Sequence, residues 1–233
     1  MTEQVKTEKQ EVTVEFEIEG NKIKLTPSIV QNYLVGANAK ITMQEFKFFT
    51  ELCKVRKLNP FLKEAYLIKF SDSQPASIVV GKDAILKRAI LNQKFNGRQQ
   101  GIIVQSEQGE LSERNGTFRL KNEVIVGGWA KVYRKDWDYP VYVTVSFDEV
   151  AQRKGNGDLN SNWATKGATM VEKVALVRAL REAFVEDLGG MIDEDEAWVN
   201  NEPRVNKTSP TIQKDVLDVE FEQGQEVDLN SLE

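Results

Sequence analysis

Hydrophobic patterning predicts an α+β fold, an antiparallel β hairpin and meander packed with several helices, including one long helix at the C-terminal end of the folded body. Three observations carry this. Period-two alternation marks residues 12–25; three- and four-residue apolar spacing marks 42–58, 83–92 and 165–188; and the later strands, 124–133 and 141–147, are joined by a polar turn as in an antiparallel meander.

The first element is a ribbon over residues 12–25. Val12, Val14, Phe16 and Ile18 alternate with charge, Gly20-Asn21 turns the chain, and Ile23 and Leu25 return on the same face. Thr26-Pro27 then starts a short helix carrying Ile29, Val30, Tyr33 and Leu34, which Gly36 ends. Thr42 and Glu45 have the spacing of a capping box, and Phe46, Phe49, Leu52, Cys53 and Val55 form an apolar stripe up to the Asn59-Pro60 stop.

EAYLIKF and SIVVG read as two strands around an SDSQPA turn, and Asp83 to Asn92 reads as a helix with Lys82, Lys87 and Arg88 off its apolar stripe. Strands follow at 101–105, 124–133 and 141–147, the last two joined by RKDWDYP. QRKGNGDLNSN is a loop without periodicity, closed by Trp163, and the long helix runs from about Thr165 to Leu188 before Gly189-Gly190. Residues 1–198 make one folded body. Residues 199–233, rich in acid, Asn and Gln, read as a largely disordered tail.

Composition removes several chemistries. The 233 residues contain no histidine, so no imidazole serves as general base or metal ligand, and the single Cys53 forms no intramolecular disulfide and no cysteine zinc site. Gly81-Lys82 is followed by Asp83, and no phosphate-cradling G-x-x-x-x-G-K-[ST] run exists. No apolar run approaches a membrane span or a signal segment, which points to a cytoplasmic chain with no membrane partner. The net charge of −5 hides an asymmetry: residues 193–233 hold twelve Asp/Glu against three Lys/Arg, which leaves residues 1–192 at +4. Lys47 to Arg98 is the densest positive stretch, with eleven Lys/Arg against four Asp/Glu.

Basic residues interleaved with aromatics are what a nucleic acid needs, because cations displace counterions from phosphate and flat rings stack on bases. They occur around Lys63, Tyr66, Lys69 and Lys82; around Lys131, Tyr133, Arg134, Lys135 and Trp137; at Lys154 and Trp163 in and closing the glycine-rich loop; and on the long helix. At 100° per residue, Lys166, Lys173 and Arg181 fall within about 80°, with Arg178 about 60° further round. The same charges also fit a solvated amphipathic helix paired with Glu172, Glu182 and Glu186. Asp136, Asp138, Asp148 and Glu149 are the acids from which a divalent-metal nuclease would be built, but no acid-x-Lys strand pattern accompanies them. The acidic run at residues 193–196 reads as solvated rather than metal-binding.

Several segments together resemble the RecT/Redβ family of phage recombination proteins, in particular its Bet branch. Leu58-Asn59-Pro60 with Lys63-Glu64 and Tyr66 is similar to an L-N-P-x-x-K-E-x-Y signature, and Val79-Val80-Gly81 with Asp83, Asn92 and Phe95 to Gly97 follow in order. Tyr133-Arg134-Lys135-Asp136 with Pro140 and Val143-Thr144 resembles the central Y-R-K-D segment. Trp163, Met170, Ala175, Arg181, Ala183 and Phe184 then follow the last family helix, and Asp193 with Asp195 to Ala197 its acidic exit.

The resemblance covers roughly residues 45–198. It implies an oligomerising DNA-annealing domain, in rings or helical filaments, that binds single-stranded DNA and the annealed duplex in a basic groove without ATP and without catalysis. It carries DNA contact to Lys63, Arg134, Lys135 and Arg181. Lys69, Lys82, Lys131, Tyr133, Lys154, Trp163, Lys166, Lys173 and Arg178 are added here as DNA-binding candidates from their chemistry. No cofactor is expected, with Mg²⁺ a modulator of DNA binding; a phage exonuclease and a host single-stranded DNA-binding protein are the further partners expected. The rival expectations are a metal-dependent nuclease and a protein that coats single strands passively. The ribbon and the helix beginning at Thr42 are expected either to join subunits or to be buried within one.

Overall fold

The computed structural model describes residues 11–36, 39–69 and 71–193. The expected tail at 199–233 lies outside them.

β1 (Val14–Ile18) and β2 (Asn21–Leu25) form the hairpin that the alternation dictates, with Phe16 opposite Ile23. Its apolar face is used inside the protomer: Phe16, Ile18, Ile23 and Leu25 are all buried in the main core. This decides one open point, since the ribbon's apolar face is not left over for a neighbouring subunit. α1 (Pro27–Ile29), capped by the Thr26 hydroxyl, widens into a π turn over Val30–Leu34 and runs into β3 (Val35–Gly36).

α2 (Met43–Val55) begins at the expected capping box, with Glu45 N–H donating to Thr42 Oγ1 and Thr42 N–H to the Glu45 carboxylate. Phe46, Phe49 and Cys53 are buried along it, and burial pushes the Cys53 thiol up to about 12, so it is core. Val55 departs from the expected stripe and is exposed.

β4 (Ala65–Ile68) pairs antiparallel with β5 (Ser77–Val80) and parallel with β3. α3 (Lys82–Leu91) follows directly. The larger sheet has the order β7-β6-β8-β9, from β6 (Phe95–Gln105), β7 (Leu111–Asn115), β8 (Val124–Arg134) and β9 (Val141–Ser146). It departs from a simple meander. The unforeseen β7 lies on the outer side of β6, so the chain must cross β6 to place β8. After the short α4 (Phe147–Val150), α5 (Ser161–Ala183) lies across β8 and its neighbours, and α6 (Val185–Leu188) ends the fold.

α5 starts four residues before its expected position because Asn160 Oδ1 caps the N–H of Trp163. It breaks at Phe184, whose φ of −131° separates it from α6. Gly128 fixes how closely it sits: a Cβ there would lie 2.6 Å from the Val171 carbonyl oxygen, so only glycine lets this helix rest on β8. Val171, Val174, Ala175, Leu176 and Leu180 then fill the space above the sheet. No described helix is long and apolar enough to cross a membrane.

Candidate nucleic-acid interface

The LNPxxKExY segment folds into a corner that holds itself. Asn59 Oδ1 accepts the Phe61 N–H, the Asn59 carbonyl accepts the Glu64 N–H, and the Glu64 carboxylate reaches back to the Asn59 N–H at 2.8 Å. Pro60 begins the intervening 3₁₀ turn, and Lys63 ends it in the left-handed region at φ 57°. These bonds place Glu64 inward and leave Lys63 exposed. The Gly81 N–H donates to the Glu64 carbonyl, which sets the start of α3, and hence Lys82, beside the corner.

Lys63, Tyr66, Lys82, Lys87 and Lys173 thereby line one cleft of about 720 Å³ between the corner, the N-terminus of α3 and the middle of α5. Its lysines divide into two kinds. Lys87 is held by Glu19 at 3.0 Å and Glu64 at 3.1 Å, which raise its pKa and keep it charged, and Lys173 lies 3.8 Å from the buried Asp193. Lys63 and Lys82 have no ion-pair partner among the described residues. A helix N-terminus and two lysines without carboxylate partners are suited to phosphate. Lys87 was legible only as lying off the α3 stripe, and its part in the cleft depends on Glu19 in the distant hairpin turn. Asp193, read as solvated, is buried; the rest of that acidic run lies outside the described residues.

Two candidates are put to other uses. Lys69 is 1% exposed, and its ammonium is clamped by both Glu45 oxygens at 2.9 and 3.0 Å. Arg134 is 5% exposed: it grips Asp136 through two bonds of 2.8 and 2.9 Å, donates to the Ala183 carbonyl and lies 4.2 Å from the Trp137 ring centroid. That grip holds the Asp136 carboxyl far below the usual range. Both cations fasten elements together, and neither presents its charge to an incoming phosphate. Trp163 also points inward, edge-on to Phe147 at 5.5 Å, so its ring is not open for stacking.

The remaining candidates are dispersed. Lys131 lies 4.5 Å from the Tyr142 ring and 5.1 Å from Trp129 on the sheet face away from α5, with the Tyr133 hydroxyl donating to Gln99 nearby. Tyr142 donates to Glu113, and that bond, with burial, pushes its pKa up to about 12. Lys135 is exposed and reaches the Gln93 carbonyl; Lys154 is exposed in the glycine-rich loop. Arg178 pairs with Glu149 at 3.4 Å, and Arg181 is half-buried near the end of α5. Lys166 has non-helical dihedrals of −129° and 31°, so the regular face expected for Lys166, Lys173 and Arg181 is interrupted. Lys173 and Arg178 thus reach carboxylates of other segments, Asp193 and Glu149.

Three of the four acids considered for a nuclease are engaged individually: Asp136 by Arg134 and Lys94, Asp148 by Arg153, Glu149 by Arg178. Among the described residues no group of three or more Asp, Glu or Cys is placed to hold a metal ion.

Comparison with known proteins bears on the same segments. The recombination protein bet of Escherichia phage lambda is 28% identical over 178 residues, 73% of this chain and 58% of that protein, so the chain spans under two thirds of this relative's length. The RecT family model matches residues 20–212, from the turn of the first hairpin through the corner, the sheet and α5. A match that takes in every element lining the cleft identifies the chain as a member of the RecT family.

Proposed function

We propose that this chain anneals complementary single strands of DNA without ATP, seating the phosphates of one strand in the cleft of Lys63, Tyr66, Lys82 and Lys173. The observation that carries the reading is the pair Lys63 and Lys82, two cations without ion-pair partners among the described residues, held beside the N-terminus of α3 by the corner of a RecT-family fold.

Annealing needs no covalent step, because base pairing and stacking supply the free energy, about 1.4 kcal/mol per step. The barrier is the approach of two polyanions. A surface that neutralises one backbone lowers that barrier, and an array of protomers extends the effect along the strand. Mg²⁺ enters this scheme as a competitor for phosphate and a modulator of binding. With the hairpin's apolar face buried, self-association falls to side chains outside the core, such as Phe48 and Val55 of α2.

The test is binding of the full chain to oligothymidylate over a range of salt. Lys63→Gln and Lys82→Gln keep an unbranched polar side chain and remove the charge; each is expected to lower the slope of log K against log salt by about 0.7. Slopes identical to wild type for both would remove the cleft from the site.

A further inference from the structure

The β1–β2 hairpin turns through Glu19 and Gly20, with φ of 49° and 79°, a two-residue turn whose central residues are both left-handed. Gly20 takes that conformation freely, whereas Glu19 takes it against the crowding of its own Cβ. What the turn gains is a reach across the fold. The Glu19 carboxylate meets the Lys87 ammonium with both oxygens, at 3.0 and 3.2 Å, from 68 residues away in the chain. Glu19 stands one residue before the span that the family model matches.

Lys87 already has a carboxylate without it. Glu64 accepts from the same ammonium at 3.1 Å, and its other oxygen takes the Asn59 N–H that closes the corner. Two carboxylates around one ammonium leave the group at −1, an excess of negative charge beside a cleft otherwise lined by lysines. The two acids are not equivalent. The Glu64 side chain is 11% exposed and tied at both oxygens, whereas that of Glu19 is 58% exposed and sits on a turn. Lys87 also lines a smaller cleft of about 230 Å³; Glu19 lines that one and not the lysine cleft, so its pull draws the ammonium away from the latter.

We propose that Glu19 is a built-in counter-charge that opposes loading of the cleft: Lys87 keeps its bond to Glu64 and exchanges Glu19 for a phosphate oxygen when a strand enters, which releases the hairpin turn. The proposal rests on the single-strand reading given above and adds to it how the site is regulated, by a carboxylate of the first hairpin. The exchange has a signature in salt dependence. A carboxylate set free takes up a cation from solution, which offsets the counterion that the phosphate gives up, so the Lys87 contact adds little to the wild-type slope. Without Glu19 the same contact adds its full share.

Glu19→Gln is isosteric and removes only the charge. In the full-length chain it is expected to bind oligothymidylate about two- to fivefold tighter than wild type at low salt and to steepen the slope of log K against log salt by about 0.7. A merely structural role would weaken binding instead. Glu15→Gln removes another charge of the same hairpin, one paired with Lys24, and should match wild type. Glu19→Gln/Lys87→Gln should lose the gain. The proposal is overturned by a Glu19→Gln slope no steeper than wild type, by an equal gain from Glu15→Gln, or by a gain that survives Lys87→Gln. Lys63→Gln/Lys82→Gln, measured alongside, separates it from the reading beneath. If that pair lowers the slope while Glu19→Gln changes nothing, the counter-charge is refuted and the cleft stands; if that pair leaves the slope unchanged, the cleft falls and the counter-charge with it.

Discussion

The Lys69–Glu45 pair shows what a lysine does when folding removes it from water. Burial alone would raise the Glu45 carboxyl, but the N–H groups of Thr42 and Ala76 and the Lys69 ammonium outweigh it and bring it down to about 2. A carboxyl whose pKa is lower folded than unfolded contributes stability at neutral pH, and that contribution is lost as pH falls from the ordinary 4.5 towards 2. Glu45→Gln leaves Lys69 buried without its counter-charge and should cost about 3–5 kcal/mol, with a flatter acid limb in a pH series of thermal melts. Wild-type melting and an unchanged acid limb would contradict this role. The sequence displays Lys63, Lys69 and Lys82 as equivalent members of one basic stretch, and nothing local separates them. The partner that withdraws Lys69 lies 24 residues away, and the bonds that expose Lys63 run through Asn59 and Glu64, so only the LNPxxKE segment, as a recognisable motif, made one of the three legible.

Elements with local causes were readable. The ribbon, the Thr42–Glu45 capping box and the turn between β4 and β5 each follow from residues within a few positions of one another, and each forms. β7 had no such signal. Leu111–Asn115 lacks apolar alternation and is a strand because it completes the edge of β6. The close seat of α5 is also a tertiary fact, resting on Gly128 and the Val171 backbone 43 positions further on. Gly128→Ala should force helix and sheet apart and cost about 1–3 kcal/mol, read as a lowered midpoint in denaturant. A midpoint equal to wild type would show that the contact can relax. The same variant should weaken DNA binding, since Lys173 and Lys166 ride on the displaced helix.

At the scale of the whole molecule, an acidic pI of about 5.2 coexists with a lysine-lined cleft. The charge that matters is local: the excess acid lies in residues 193–233, and the body that forms the cleft is positive. Composition revealed that asymmetry, and the motifs revealed the family, but the meeting of the corner, the start of α3 and the middle of α5 in one cleft required the fold. Strand pairing itself is read as the rate at which complementary oligonucleotides anneal with the full chain present and ATP absent, followed by fluorescence transfer between labelled strands. Wild type should accelerate annealing, and Lys63→Gln/Lys82→Gln should accelerate it about tenfold less. Slowed annealing with wild type would instead indicate a passive coat, shortened strands a nuclease, and equal rates for wild type and variant would contradict the assignment of the cleft.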